Sequence, residues 1–390
     1  MKEKIIAKSI FSNSPLELVV ENGKVISVIQ SGIAAEASLA YIAPGFLDIQ
    51  INGYAGKDYS TTLTPEEILE LVGHIAKSGT TQHIATIITN SEKQIIESIQ
   101  AIVKARKTYP MVKESLVGIH IEGPFISPEE GARGVHDPQH IRPCDYEEFL
   151  RWQEAAEGLI RIVTISPEDD VALDFIRKVS ATGVIVAIGH TNVDPSLIGS
   201  ATEAGAVLST HLGNGSAAML PRLKNFMWKQ LSEDSLSASI IADGFHLPPY
   251  VLDSFTKAKG KDKILLISDA AALAGSPPGI YQWGDMQVEV FEDGHMGLAG
   301  TSSLAGASLL LDTCVAHLSE ATGFSLADAV ACATVNPHAL LGESTWTGFP
   351  KVGTDADFIL FTYEKGDGKL SVKRSVLGKH TLFQEEPSNN

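Results

Sequence analysis

The chain has 390 residues, 44% of them hydrophobic and 20% charged, which is enough apolar material for a large core. Its formal net charge of −17, from 30 basic and 47 acidic side chains, disfavours nucleic acid and anionic membranes and requires a local cationic pocket for any anionic ligand. Three scattered cysteines (Cys144, Cys314, Cys332) form no C-x-x-C pair, and neither a signal peptide nor a run of about 18 apolar residues occurs, so a reduced, cytoplasmic protein is expected.

In chain order, KIIAKSIF and LELVVENGKVISVIQ read as short strands, and Asn22-Gly23 between two β-rich runs is a hairpin signal. The texture then changes. Apolar, β-branched runs recur: GFLDIQIN, TTQHIATIIT, SLVGIHIEG, LIRIVTISPE, GVIVAIGHT, AVLSTHLGN, ASIIADGFH and ILLISDAA. Near-continuous apolar character suits parallel strands covered on both faces. Between them lie stretches of helical spacing such as EEILELVGHIAKSG and EKQIIESIQAIVKARKTY. Thr64-Pro65-Glu66-Glu67 reads as a capped helix start with proline at the first helical position. After about Gly353 the β texture returns as DADFILFTYE, a turn at Lys365–Gly368, and KLSVKRSVL.

Eight β-then-α units predict an α/β fold, a (β/α)8 TIM-type barrel over residues 45–349. The two ends, 1–44 and 350–385, are expected to form one small β-sandwich domain, and 386–390 a disordered tail.

Polar residues gather where the apolar runs stop, which in a barrel is the catalytic face. The first run ends in Gln50 and Asn52, the third in His120 and Glu122, and the fifth in His190. The sixth ends in His211, the seventh in Asp243 and His246, and the eighth in Asp269. A single histidine at a strand end is commonly structural. Here five of twelve (His120, His136, His190, His211, His246) fall at one end of one expected barrel. Glu122, His190 and His211 make a set of two imidazoles and a carboxylate, and three protein ligands leave a fourth position open, as in catalytic zinc sites. Bound metal brings the pKa of water towards about 7, and Asp269, ending ILLISD, is placed as the base. The alternative for Asp269 is a cap on the following helix.

The segments PGFLDIQING, GIHIEGPF, GARGVHDP, GHT, STHLGNG, ADGFH, ISDA, LAGTSSLAG, ATVNPHALLG and VGTDADFIL, in this order over nearly the whole chain, resemble the N-acetylglucosamine-6-phosphate deacetylase family of the amidohydrolase superfamily. The resemblance implies one divalent ion per subunit at Glu122, His190 and His211, because Gln50-Ile51-Asn52 stands where many amidohydrolases carry His-x-His. It further implies that Gln50 holds water on the ion, that Asp269 is the catalytic aspartate, and that His136 contacts the sugar and polarises the acetyl carbonyl. It casts His246 as substrate-binding, Asn214 and Gly215 as contacts for the sugar phosphate, and Arg222 as a phosphate ligand in a homodimer, reaching from the neighbouring subunit. Zinc is the expected metal; iron, manganese and cobalt suit the same ligands. The chain departs from the family in one stretch, HLGNGSAAMLPRLKNFMW, where HLFNAM and H-H-R-x-P-G are usual, so Leu220, Pro221 and Lys224 surround Arg222.

The expected activity is therefore hydrolysis of the acetamide of a small amino sugar, N-acetylglucosamine 6-phosphate. Two alternatives remain: another N-acyl substrate (an unphosphorylated N-acetyl sugar, an N-acyl amino acid or a cyclic amide), or an inactive sugar-binding protein.

Overall fold

The computed structural model describes residues 2–30, 39–284, 286–301, 303–343 and 349–386. The residues expected to form a disordered tail, apart from Glu386, lie outside that set.

All eight apolar runs form strands. They are β1 (Phe46–Ile51), β2 (Thr80–Ile88), β3 (Leu116–Glu122), β4 (Ile160–Ile165), β5 (Ile185–Ile188), β6 (Ala206–Ser209), β7 (Ser237–Ile240) and β8 (Ile264–Leu266). Each pairs with the next in sequence in one eight-stranded sheet, and every pairing is parallel. The ring closes beyond β8: Asp269 N–H donates to Gln50 O at 2.9 Å, and Asn52 N–H donates to Ala270 O at 2.9 Å.

The sequence explains the architecture locally. All six residues of β1 are buried, as a strand covered on both faces must be. Leu47, Ile49, Ile84, Ile162, Ala187, Leu208, Ile241, Leu265 and Ile267 cluster with half-buried Val117, drawing on seven strands and on Ile241 just past β7 and filling the barrel interior. Outside, the helix Pro65–Ile75 buries Ile68, Leu71, Val72 and Ile75, one stripe at helical spacing. It begins with the expected capping box, in which Thr64 Oγ1 accepts from Glu67 N–H and the Glu67 carboxylate from Thr64 N–H.

The two ends of the chain build one seven-stranded sheet. Lys2–Ser9, Pro15–Glu21, Lys24–Gln30 and Tyr41–Ala43 come from the N-terminal side, Asp357–Thr362, Ser371–Leu377 and His380–Gln384 from the C-terminal side. The Asn22-Gly23 turn takes φ of 51° and 78°, the left-handed pair that joins such hairpins without splaying them. A three-stranded antiparallel flap (Gly279–Trp283, Met286–Val290, Met296–Leu298) sits between β8 and the helix Leu311–Ala321. It leans on the loop after β7 through a stack in which His295 lies 4.1 Å from Phe291 and 4.9 Å from Phe245.

Asp48 sits at the closing seam. Its Oδ1 accepts from Gln50 N–H at 3.2 Å and Ser268 N–H at 3.3 Å, and burial pushes its carboxyl up to about 7. A pKa raised on folding favours the folded state fully below the unfolded value of about 3.9, and that contribution is lost as pH rises through about 7. Asp48→Asn keeps an acceptor and removes the charge. Its melting temperature relative to wild type is therefore expected to be higher at pH 8.5 than at pH 5.5, measured by scanning calorimetry; a constant difference contradicts the assignment.

Candidate active site

Three side chains meet at one oxygen. Glu122 ends β3, and its Oε1 lies 3.1 Å from His190 Nε2 and 2.9 Å from His211 Nε2, with the two imidazole nitrogens 3.0 Å apart. Relative exposures are 2%, 7% and 2% for Glu122, His190 and His211, so water cannot solvate the carboxylate. Burial alone would raise the Glu122 pKa, but hydrogen bonds from the two histidines override it and hold the carboxyl well below its usual range.

Strand termination aims the imidazoles. β5 stops at Ile188 and β6 at Ser209, two residues short of each histidine. His190, His211 and Asp269 then take φ of 48°, 32° and 49°, a left-handed region that costs a side-chain-bearing residue about 1–3 kcal/mol. Local hydrogen bonds hold each one there: Ser127 N–H to His190 O, His211 N–H to Ser239 Oγ, and Asp269 N–H to Gln50 O, all 2.9 Å.

The donor set fits a divalent ion. Ligands about 2.0–2.2 Å from a tetrahedral centre stand roughly 3.3–3.5 Å apart, close to the 2.9–3.1 Å edges here. His190 Nδ1 bonds Ala132 O at 2.8 Å. A carbonyl only accepts, so Nδ1 carries a proton, and Nε2 is the nitrogen that would ligate an ion, as in a metal-ligating histidine with a backbone partner. His136 adjoins the set. Donor atoms of Glu122, His136 and His190 all lie within 4.8 Å of one another, and the His136 ring centroid is 4.3 Å from that of His190. The tighter triangle is the one that includes His211. His136 instead bonds Thr89 Oγ1 through Nδ1 at 2.7 Å, and burial lowers it to about 3, keeping the imidazole neutral.

Asp269 Oδ1 lies beside the triangle, accepting from Asn52 Nδ2 at 2.8 Å and Gln50 Nε2 at 3.1 Å. Gln50 Nε2 also donates to Glu122 Oε1 at 3.0 Å, joining the two carboxylates. Burial and then the Glu122 charge raise Asp269 to about 6, whereas a cation between the ligands acts in the opposite direction. His246 Nδ1 pairs with Asp243 Oδ2 at 2.8 Å. Asn214 Nδ2 is buried without a protein partner among the described residues, and Gly215 packs on the His190 ring. Arg222 is exposed in the loop before the helix Phe226–Ser232, and its guanidinium has no side-chain partner among the described residues.

The sequence reading overlooked three contributors: Asn52 as a partner of Asp269, Thr89 behind His136, and the Ala132 carbonyl. Only Asn52 carried a signal, its place at a strand end. His120, grouped above with the strand-end histidines, lies lower in β3 and bonds Thr164 Oγ1 at 2.7 Å, so it is a structural residue of the barrel wall.

A (β/α)8 barrel that converges two imidazoles, a carboxylate and a raised aspartate on one buried point defines a barrel hydrolase of the metal-dependent class. A model of the amidohydrolase family matches residues 41–380. The chain is similar to N-acetylglucosamine-6-phosphate deacetylase of Bacillus subtilis, 34% identical over 325 residues (82% of this chain, 80% of the relative). It is also similar to the Bos taurus protein of that name, 33% identical over 360 residues (88% and 84%), and to N-acetylgalactosamine-6-phosphate deacetylase of a Shewanella strain, 31% identical over 319 residues (82% and 78%). Among solved structures, a mutant N-acetyl-D-glucosamine-6-phosphate deacetylase of Mycobacterium smegmatis, in complex with N-acetyl-D-glucosamine 6-phosphate, superposes with a TM-score of 0.82 at 26% identity, covering 97% of this chain and 99% of that one. The chain belongs to the amidohydrolase family, in its N-acetylglucosamine-6-phosphate deacetylase branch, and that membership implies a divalent metal.

Asn52→Ala removes the shorter of the two side-chain hydrogen bonds to Asp269 while leaving the Glu122 triangle intact. Turnover is expected to fall roughly tenfold or more with metal content unchanged, a net hydrogen bond to a charged group being worth about 1.5–3 kcal/mol. Full activity in this variant contradicts the coupling.

Proposed function

We propose that this chain hydrolyses the acetamide of N-acetylglucosamine 6-phosphate, giving glucosamine 6-phosphate and acetate. The observation that carries the reading is the bridge that Gln50 makes between a three-ligand cluster and a half-buried aspartate, in a chain whose relatives bear that activity in their names.

Glu122, His190 and His211 would hold one divalent ion, zinc by the chemistry of two imidazoles and a carboxylate. An ion held there would supply Lewis-acid polarisation of the amide carbonyl and a water acidic enough to attack near neutral pH. Asp269 takes the water proton and returns it to the amide nitrogen as the C–N bond breaks, so the nitrogen leaves as an amine rather than an amide anion. Gln50 orients the nucleophile through its amide, which already spans Glu122 and Asp269. His136, neutral and with Nδ1 occupied by Thr89, presents Nε2–H to the developing acyl oxygen. His246 and the backbone around Asn214 and Gly215 hold the sugar; Asn214 Nδ2 is a buried donor that a sugar oxygen would satisfy.

Phosphate recognition rests on Arg222, reaching across a homodimer interface. Support comes from the apolar side chains next to it in sequence: Met219 is 88%, Leu223 77% and Trp228 52% exposed, a density that marks a surface to be covered. We further read the enzyme as cytoplasmic, since Cys144, Cys314 and Cys332 are free and buried. The seven-stranded sheet we read as the expected sandwich, whose core joins Ile5, Leu18 and Val25 to Phe358 and Val376 from the other end of the chain; the small domain then comprises 1–44 and 350–385, and the barrel 45–349.

A second reading, favoured by the Shewanella relative, is the C4 epimer, N-acetylgalactosamine 6-phosphate. Acetate release from a panel of both 6-phosphates, the unphosphorylated sugars and an N-acetyl amino acid decides between them. Release from none of these by metal-replete protein removes the deacetylase reading.

Elemental analysis is expected to give one ion per chain. Glu122→Gln is expected to lose the ion, and activity with it. Asp269→Asn is expected to keep the ion and the fold while kcat falls about 10²–10⁴-fold, the usual contribution of an acid–base group; a drop under about tenfold refutes the role. Arg222→Ala is expected to raise KM for the 6-phosphate strongly and leave kcat for an unphosphorylated analogue nearly unchanged. Equal losses on both substrates would make Arg222 structural.

A further inference from the structure

The turn that carries His246 is folded by one carboxylate. Asp243 Oδ1 accepts from Phe245 N–H and from His246 N–H, both at 2.9 Å, and Oδ2 meets His246 Nδ1 at 2.8 Å. Those bonds fix His246 relative to its own turn, not relative to the barrel. Two neighbours do the latter. Gly244 packs on the helix Leu311–Ala321, where a Cβ would stand 3.5 Å from His317 Cε1. The Phe245 ring, 37% exposed, lies 4.9 Å from His295 at the tip of the flap. That tip is preorganised. Phe291 N–H donates to His295 O at 2.9 Å, the Phe291 and His295 rings are within 4° of parallel, and Asp293 Oδ1 meets His295 Nδ1 at 2.5 Å. The base of the flap is anchored elsewhere: Val288, Val290 and Met296 pack on Ala271, two residues past Asp269, and Ala271 N–H donates to Ala307 O at 2.9 Å.

We infer that His295 and Phe245 are positioning residues for His246, their ring stack latching the flap to the turn after β7 and so setting how tightly the sugar is bound. The inference rests on the substrate-binding role proposed above for His246. A flap rooted beside Asp269 and gripping Phe245 ties the loops of β7 and β8 into one unit. The stack is a contact between half-exposed rings of two separate elements, so its loss opens no cavity in the core. Its strength suits choosing between two placements of a short turn rather than holding a barrel together. The residues that meet at Glu122 Oε1 come from other strand ends and keep their bonds without it. Binding should therefore suffer and turnover be spared.

The test is steady-state kinetics of the metal-replete full chain on N-acetylglucosamine 6-phosphate. The proteins compared are wild type, His295→Ala, His295→Phe, Phe245→Leu, His246→Ala and the double variant His295→Ala/His246→Ala. His295→Ala and Phe245→Leu are each expected to raise KM about 2–10-fold, the range a ring stack is worth, with kcat within about twofold of wild type. His295→Phe restores a ring to the stack and is expected to return KM to the wild-type value. In the His246→Ala background, His295→Ala is expected to add nothing, because residues acting through one partner are not additive. Unchanged KM in His295→Ala overturns the inference, as does a fall in kcat without a rise in KM, which would place the flap's effect on the Asp269 loop. A full additional rise in KM in the double variant overturns it too, since His295 would then act without His246. Should His295→Ala not fold, Phe245→Leu decides by the same criteria. Unchanged KM in His246→Ala overturns the inference while leaving the deacetylase reading intact, whereas a wild type without turnover on any sugar of the panel overturns both.

Discussion

A single carboxylate oxygen fixes the geometry of the C-terminal face. Glu122 Oε1 is touched by Gln50 from β1, His190 beyond β5 and His211 beyond β6, all within 3.1 Å. A charged oxygen with almost no solvent exposure must be compensated locally, and no Lys or Arg among the described residues is paired with it. The compensation available is imidazole, amide and, on the proposed reading, a cation. Sequence separations of 72, 68 and 89 residues are bridged because a closed parallel sheet returns every strand end to one rim. Through Gln50 the same oxygen also fixes where Asp269 can lie.

That convergence is not free. The three residues with the most chemistry in them, His190, His211 and Asp269, all have left-handed backbones, although none is a glycine. The strands themselves end earlier, at Ile188, Ser209 and Leu266, and a regular pleat continued to these residues would alternate their side chains in and out of the barrel. Breaking the pleat turns them inward. The cost is held by a barrel whose interior is apolar from β1 to β8, which separates a stable lower layer from a strained upper one. Strain of this kind persists only where its surroundings over-determine it, which the hydrogen bonds to Ser127 N–H, Ser239 Oγ and Gln50 O do here.

What was legible in the sequence follows from the same division. The barrel strands announced themselves because burial on both faces leaves an apolar, β-branched run, as in Ile185–Ile188 and Ile264–Leu266. The Asn22-Gly23 turn and the Thr64 capping box were readable because their chemistry is local. The flap was missed. Its first strand, Gly279–Trp283, has no buried residue and so presents no apolar run or clean alternation. Strand-end position also could not separate His120, which bonds Thr164 within the wall, from His190 and His211 above it; in a strand the two environments are two residues apart. Nor could it show the Ala132 carbonyl, a backbone atom 58 residues from the imidazole it holds.

The net charge of −17 constrains how a phosphorylated substrate could be bound. Exposed charges are screened beyond about 8 Å at physiological ionic strength, so the overall field repels weakly at the pocket and a few near cations decide affinity. Those close to the sugar-side loops are partly committed already. Lys224 pairs with Asp194 at 3.0 Å, and Arg133 Nη1 is turned to the carbonyls of Gly134 and His136. Arg222 differs from both in being exposed on a loop that also exposes Met219 and Leu223. A solvated arginine gains little from a phosphate that water also solvates. Covering the apolar loop with a second subunit would dry the surroundings of that guanidinium and strengthen its bidentate contact. On the proposed reading, then, burial of the apolar side chains and recognition of the phosphate are one requirement: the loop can be costly to expose in a lone chain because its cation is useful only when covered.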